Sequence, residues 1–318
     1  MATRQSSTAP SFFNFLKEGL LLPTHNPRLF AAVLAIIVAS TSLLLLGNDL
    51  AIQPLVEQIR IDTNLLNSTD PSSPEFLHLL KEIQDDTRAI FITGGVYLLI
   101  AIVIGSFIRI VVLFAAVTTY SGELHTFASL LGKVKAQLKG PLLTLGFTSV
   151  LEITYIAFIA GMVGILAFLT IMIKQHRTIM LFVDLLLVTV ASIFLVYFSI
   201  ICSLSIVVAV AEPGCHGAGA VGQAWRLMKG KRRRAMLLIS VPAVLAAALS
   251  PVHTLAKTCA VGNIASGLLL GFLYTILMGA VELFATCAMT AFYYECKGSP
   301  EALGTKYTKV STEDQVNV

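Results

Sequence analysis

Six uninterrupted apolar blocks set the limits on what this chain can fold into. They cover roughly Leu29–Leu46, Ile90–Val117, Leu142–Ile173, Ile179–Val210, Ala235–Leu255 and Ile264–Phe292. A run of about 18 or more apolar residues with few charges is long enough to cross a bilayer as a helix. Hydrocarbon offers the backbone no water, so a single crossing segment must satisfy its own N–H and C=O groups, and only a helix does that. Of the 318 residues, 56% are hydrophobic and 13% charged, against about 25% charged in a soluble domain. The predicted class is therefore all-α. It is a polytopic membrane protein with six transmembrane helices in one domain over 11–297, between disordered ends at 1–10 and 298–318. The third and fourth blocks exceed what a perpendicular crossing needs, which predicts tilt or interfacial extension. Pro242 and Pro251 predict kinks in the fifth.

Six crossings return both termini to one side, and the basic residues choose the side. Arg4, Lys17, Arg28, Lys133, Lys135, Lys139, Arg226, Lys229, Lys231 to Arg234, Lys297, Lys306 and Lys309 fall on the face of the termini. Arg60, Lys81, Arg88, Lys174, Arg177 and Lys257 fall on the other, fifteen against six. The positive-inside rule makes the termini cytosolic. The sequon Asn67-Ser68-Thr69 lies in the acidic connection 47–89, a predicted lumenal or extracellular loop, which makes Asn67 the glycosylation candidate. The segment before the first block lacks a secretory apolar core, so that block is expected to be an uncleaved signal-anchor. The membrane is the endoplasmic reticulum or the plasma membrane.

The densest charge, Arg226, Lys229, Lys231, Arg232, Arg233 and Arg234, abuts the fifth block. It reads as a topology determinant that also attracts anionic headgroups, at about 1 kcal/mol per basic residue near the surface. No nucleic-acid partner is expected, because no aromatic-interleaved motif accompanies the charge. The cluster also closes a pattern that occurs three times. Phe12, Phe15, Leu16 and Leu20 form one helical face; so do Phe127, Leu130, Leu131, Val134 and Leu138; so do Val221, Ala224, Trp225 and Met228. Each face is followed by basic residues and two apolar blocks, which predicts three tandem units of a cytosolic interfacial helix plus a helical hairpin. Pro23 and Pro27 predict that the first such helix is short and followed by a turn.

The stretch "FLKEGLLLPTHNPRLFAAVLAII", continuing to "SLLLLGNDLAIQPL", resembles the opening of a group of plant multi-pass membrane proteins of unknown function. The alternation of amphipathic helix and hairpin also resembles, in architecture only, the membrane domain attached to some bacterial glycerophosphodiester phosphodiesterases. That resemblance implies no catalysis here, because the catalytic barrel of those enzymes has no counterpart in the chain.

Ionisable residues within the blocks are costly in hydrocarbon and are the first functional candidates. Arg109, Glu152 and Glu282 lie about 13–16 Å from the cytosolic ends of their spans at 1.5 Å per residue. They predict a polar layer, read either as an Arg109–Glu152 pin between helices or as a pocket for an ion, a proton or a headgroup. Asp184 and His253 form a second expected pair nearer the lumenal side. Small residues at every fourth position (Gly267, Gly271, Thr275 and Gly279; Ala157 with Gly161) predict close helix packing. Cys215 and Cys296 are candidates for S-palmitoylation. Glu123, His125, Cys215, His216 and Cys296 lack paired ligand spacing, so no metal and no cofactor is expected. No nucleophile elbow, Walker loop or metalloprotease helix occurs. The expected function is thus a non-enzymatic scaffold or lipid-organising protein whose partners are membrane lipids. A small transporter or channel using the Arg/Glu layer, or a lipid-modifying enzyme, are the alternatives.

Overall fold

The structure is a computed structural model that describes residues 13–70, 73–123, 125–172, 177–262 and 264–298. The expected disordered ends, 1–10 and the tail beyond 298, lie outside the described residues. The helices are α1 (Asn14–His25), α2 (Pro27–Ala51), α3 (Gln53–Ser68), α4 (Pro74–Tyr120), α5 (Phe127–Gln137), α6 (Lys139–Met172), α7 (Arg177–Ala211), α8 (Ala218–Met228), α9 (Arg232–Gly262) and α10 (Ile264–Lys297). No strand occurs among the described residues. The described residues of the six apolar blocks fall within six helices long and apolar enough to cross a membrane. The protein is an all-α polytopic membrane protein. The order short helix, long helix, long helix occurs three times, from α1, α5 and α8, with α3 added in the first unit.

The expected loop 47–89 is instead largely helical. Helix α3 begins with Pro at its first turn, where the missing N–H costs nothing, and α4 starts at Pro74 and runs for 47 residues. The half-buried positions Leu55, Ile59, Asp62 and Leu66 alternate at spacings of four and three, as do Phe76, Ile83, Asp86 and Ile90 together with the buried Leu79. That is the spacing of a helical seam, hidden in the sequence by the charged residues between.

The helices pack as two compact units. One comprises 31–109 and 249–280. In it Tyr97 donates to the Leu44 carbonyl at 2.6 Å, and the Ser42 and Thr275 hydroxyls lie 3.3 Å apart. Gly279 lets α10 approach α2, where a Cβ would meet Ile37 and Leu34 at 3.2–3.3 Å. At Thr275 and Gly279 the stripe of small residues in α10 thus serves packing within the chain, whereas Gly271 faces open space. Gly161 and Gly164 of α6 likewise face open space.

The other unit comprises 13–30, 110–248 and 281–298 of the described chain. Its core is the C-terminal part of α4, where every residue from Ile110 to Thr119 is buried, together with Ile200–Val210 of α7 and Cys287–Tyr293 of α10. Helices buried on all sides at their ends need covering elements, and the short helices supply them. Helix α1 buries Phe15, Gly19 and Leu22; α5 buries Leu130 and Val134; α8 buries Ala220, Ala224 and Met228. These faces are rotated from the expected ones, since Leu20, Leu131 and Trp225 are exposed. Helix α1 also carries Pro23 inside it and ends only at Asn26, before Pro27 opens α2. Pro23 stands in the last turn of this 12-residue helix, where its missing N–H forgoes one bond, to the Gly19 carbonyl. Likewise α9 continues as a helix through Pro242 and Pro251.

Gly19 fixes how α1 seats. A Cβ at that position would lie 2.6 Å from the Ala288 Cα of α10, while Phe15 meets Phe292 edge-on at 5.6 Å between ring centroids. Gly19→Ala is expected to destabilise the protein by about 1–3 kcal/mol through overpacking. Thermal melts in detergent, with Leu20→Ala as the exposed-position control, check this.

Candidate functional site

Polar side chains gather where the C-terminal ends of α4, α7 and α10 meet the short helices. Glu212, just past α7, accepts from the Tyr293 hydroxyl at 2.7 Å, from Gln223 of α8 at 2.7 Å and from the Lys297 ammonium at 2.9 Å. One carboxylate therefore ties α7 to α8 and to α10. Tyr293 is fully buried, so its hydroxyl needs a partner and finds it there. Burial alone pushes the Glu212 carboxyl upward. The hydrogen bonds from Tyr293, Lys297 and Gln223 outweigh that and hold it below the ordinary carboxylate range. Burial and the Glu212 charge push the Cys215 thiol upward, and its Sγ donates to Gln223 at 3.1 Å.

A second carboxylate does the same for α1. Glu18 accepts from Asn14 at 3.0 Å and from the Tyr120 hydroxyl at 3.1 Å, and the Tyr120 ring stacks on Tyr294 at 4.4 Å. Arg234 at the start of α9 pairs with Glu295 of α10.

The loops before α5 and α8 are built alike. Each has a glycine in the left-handed region, Gly122 (φ +81°) and Gly214 (φ +110°), followed by a histidine. The two histidines differ in what they touch. His125 has both ring nitrogens occupied, by Glu123 at 2.9 Å and Ser129 at 3.1 Å. Glu123 also accepts from Lys133 at 2.5 Å, and the Lys133 and His125 hydrogen bonds hold its carboxyl low. His216 has a buried Nδ1 with no partner among the described residues, and its ring lies against Gly140 at the start of α6. A cavity of about 210 Å³ opens beside it, with Lys139 and Gln137 in its wall.

The sequence-predicted residues are distributed as follows. Arg109 and Glu152 are half-buried and Glu282 is exposed; Arg109 and Glu282 are each engaged with a partner. Glu152, on α6, has no hydrogen-bond or ion-pair partner among the described residues of its own unit. His253 stacks on Tyr274 at 4.9 Å, and the side chain of its expected partner Asp184 lies outside those described. Asn67 is exposed near the end of α3.

The basic run divides. Arg226, Lys229 and Arg233 are exposed, Arg234 is committed to Glu295, and Lys231 is half-buried with the Cys296 thiol as a partner. The Arg232 side chain lies outside those described. A helix turns about 100° per residue, so consecutive arginines cannot share one direction. Cys296 is 2% exposed and Cys215 half-buried, so an acyl chain reaches Cys296 only if α10 loosens there. No three metal-ligating side chains cluster among the described residues.

A family model described as a domain of unknown function (DUF8558) matches residues 7–302. The chain belongs to that family. None of the curated proteins and none of the solved structures matches it. The match to DUF8558 takes in all six spans and all three short helices, so the polar junction is part of the domain itself.

Of the residues that build this junction, Tyr120, Glu212, Tyr293, Glu295 and Lys297 lie at the C-terminal ends of long helices, and Glu18 and Gln223 lie within the short helices α1 and α8. Their signal was present in "AEPGCHG" and "YYECKG", where acid and phenol groups follow apolar runs directly. In this DUF8558 domain Glu212→Gln and Tyr293→Phe are each expected to cost about 1–3 kcal/mol. Their double-mutant cycle should show coupling of roughly 1 kcal/mol or more. Because the folded-state pKa of Glu212 is depressed, its contribution is present above the unfolded value near 4.5 and lost as pH falls through the folded value. Melting temperatures should therefore decline on acidification below about pH 4.5, and Glu212→Gln should weaken that decline.

Proposed function

We propose that this protein is a non-enzymatic membrane scaffold that gathers anionic lipids on its cytosolic face, with both termini in the cytosol, in the endoplasmic reticulum or plasma membrane. The observation that carries the reading is the outward set Arg226, Lys229 and Arg233 beside Trp225, which is 49% exposed and meets Tyr197 by its edge. Exposed cations with an amphipathic indole, at the mouth of an apolar helix, match the headgroup layer of an anionic leaflet. The resemblance of the opening motif to plant multi-pass proteins supports a role shared with that group.

At about 1 kcal/mol per basic residue, the three cations together change anionic-lipid retention by roughly two orders of magnitude. The triple variant Arg226→Gln, Lys229→Gln, Arg233→Gln is expected to co-purify with little phosphatidylserine from mixed-lipid nanodiscs, while wild type enriches it in a salt-sensitive way. Equal enrichment by both proteins would sink the proposal. Protease added to sealed microsomes should remove a C-terminal tag; protection of the tag would reverse the orientation.

A second reading, a proton or ion pathway, is favoured by Glu152, half-buried in α6 with no partner in its own unit. It expects a pH-gradient leak in proteoliposomes that Glu152→Gln abolishes. A leak of the same size in both proteins, or in neither, argues against it.

A further inference from the structure

The cavity beside His216 lies between the end of α7 and the start of α6, and it is set by the backbone on two sides. Gly214, in its wall, adopts φ +110°, a conformation that favours glycine, and the Gly217 N–H donates to the buried Thr144 hydroxyl of α6 at 2.9 Å. That bond pins the loop to α6. Gly140 then allows the imidazole to lie flush on the helix, since a Cβ there would come within 2.2 Å of the ring. The floor is apolar, with Phe114 and Val210, and the polar wall consists of Lys139, Gln137 and His216. No carboxylate is among its lining residues.

We propose that this cavity is a binding site for a phosphate monoester, carried on a lipid headgroup or free in solution. Lys139 brings three donors and no acceptor, and Gln137 brings an amide. His216 adds an imidazole held flat against Gly140, with no described partner on its buried Nδ1 and a ring N–H as a further donor. A wall of donors without a carboxylate selects an anion with several acceptor oxygens. Bulk water occupies about 30 Å³ per molecule. The volume of about 210 Å³ thus takes a phosphate group with ordered waters or with the first atoms of a headgroup. Leu142 and Leu143, exposed within one turn of Lys139, begin the third apolar block, so the cavity sits at headgroup depth. His125, the counterpart in the other loop, has both nitrogens occupied by its own neighbours, which marks His216 as the one open to a ligand. The site is separate from the exposed basic patch and stands whether or not that patch retains lipid.

The test is isothermal titration of the full chain in detergent with dioctanoyl phosphatidic acid, dioctanoyl phosphatidylcholine and inorganic phosphate. The expected result is one saturable site for phosphatidic acid, preferred over phosphatidylcholine by at least tenfold. Lys139→Gln and Gly140→Ala should each weaken it tenfold or more, and Leu20→Ala, at an exposed position of α1 away from the cavity lining, should leave it within threefold. Lys139 is exposed, so its variant reads binding where Gly140→Ala fails to fold. Binding of inorganic phosphate with equal strength assigns the site to a soluble phosphate, and binding of the lipid alone assigns it to a headgroup. Equal affinity for phosphatidylcholine, no saturable binding, or wild-type binding by Lys139→Gln would overturn the proposal.

Discussion

A helix that crosses hydrocarbon satisfies its own backbone except at its ends, and the ends are where this fold concentrates its polar chemistry. Three long helices, α4, α7 and α10, finish inside one packed unit, with long buried stretches at Ile110–Thr119, Leu204–Val210 and Thr290–Tyr293 close to their C-terminal ends. Helix ends leave four carbonyls each without an intrahelical partner. Burying three such ends together is tolerable only if side chains and turns close them off. The short helices α1, α5 and α8 cover the apolar flanks, and Glu18, Glu212 and Glu295 tie α1, α8 and α9 to the core. Removing Glu212 would leave a fully buried tyrosine hydroxyl without its acceptor, which links the acid to the stability of the whole junction.

The repeated order of short and long helices has a physical reading in the same terms. Each hairpin of spans presents one buried C-terminal end, and each following short helix begins a few residues later. The connecting loop must reverse direction over a few residues, so Gly122 and Gly214 take up left-handed backbone. Repetition constrains the frame while leaving the side chains free to diverge. In one loop the histidine is consumed by Glu123 and Ser129; in the other it is left beside a cavity.

The sequence made the spans legible because a bilayer demands a long apolar block whatever the partners of that block are. It hid the helices of 47–89, because their seam is set by single residues at alternating three and four spacing among charges. The short helices were visible as periodic segments, but their buried faces were not. Gly19 faces inward and Leu20 outward because α10 offers α1 an alanine backbone at contact distance, which favours the smallest residue. Ala220 and Ala224 are buried while Trp225 is exposed, again a preference for close approach over hydrophobicity. Within a membrane-associated unit, large apolar side chains lose little by facing lipid, so hydrophobic periodicity stops predicting which face is inside. The same reasoning explains the basic run: four consecutive cations read as one patch in the sequence, yet Arg234 turns inward to Glu295.

Charge inside the spans and charge at their ends answer to different costs. A carboxylate in mid-span is costly in hydrocarbon, which is why it stands out as a functional candidate. A polar group in the wall of a cavity near a helix end has water and headgroups within reach. Glu152 is of the first kind and His216 of the second. The imidazole is held by a glycine beneath it and by the pinned loop at Gly217, so its position does not depend on a hydrogen bond of its own. A donor fixed by packing, and not spent on a neighbour, is pre-organised for whatever anion enters. That places the chemistry of this domain at the ends of its helices, where the bilayer gives way to water.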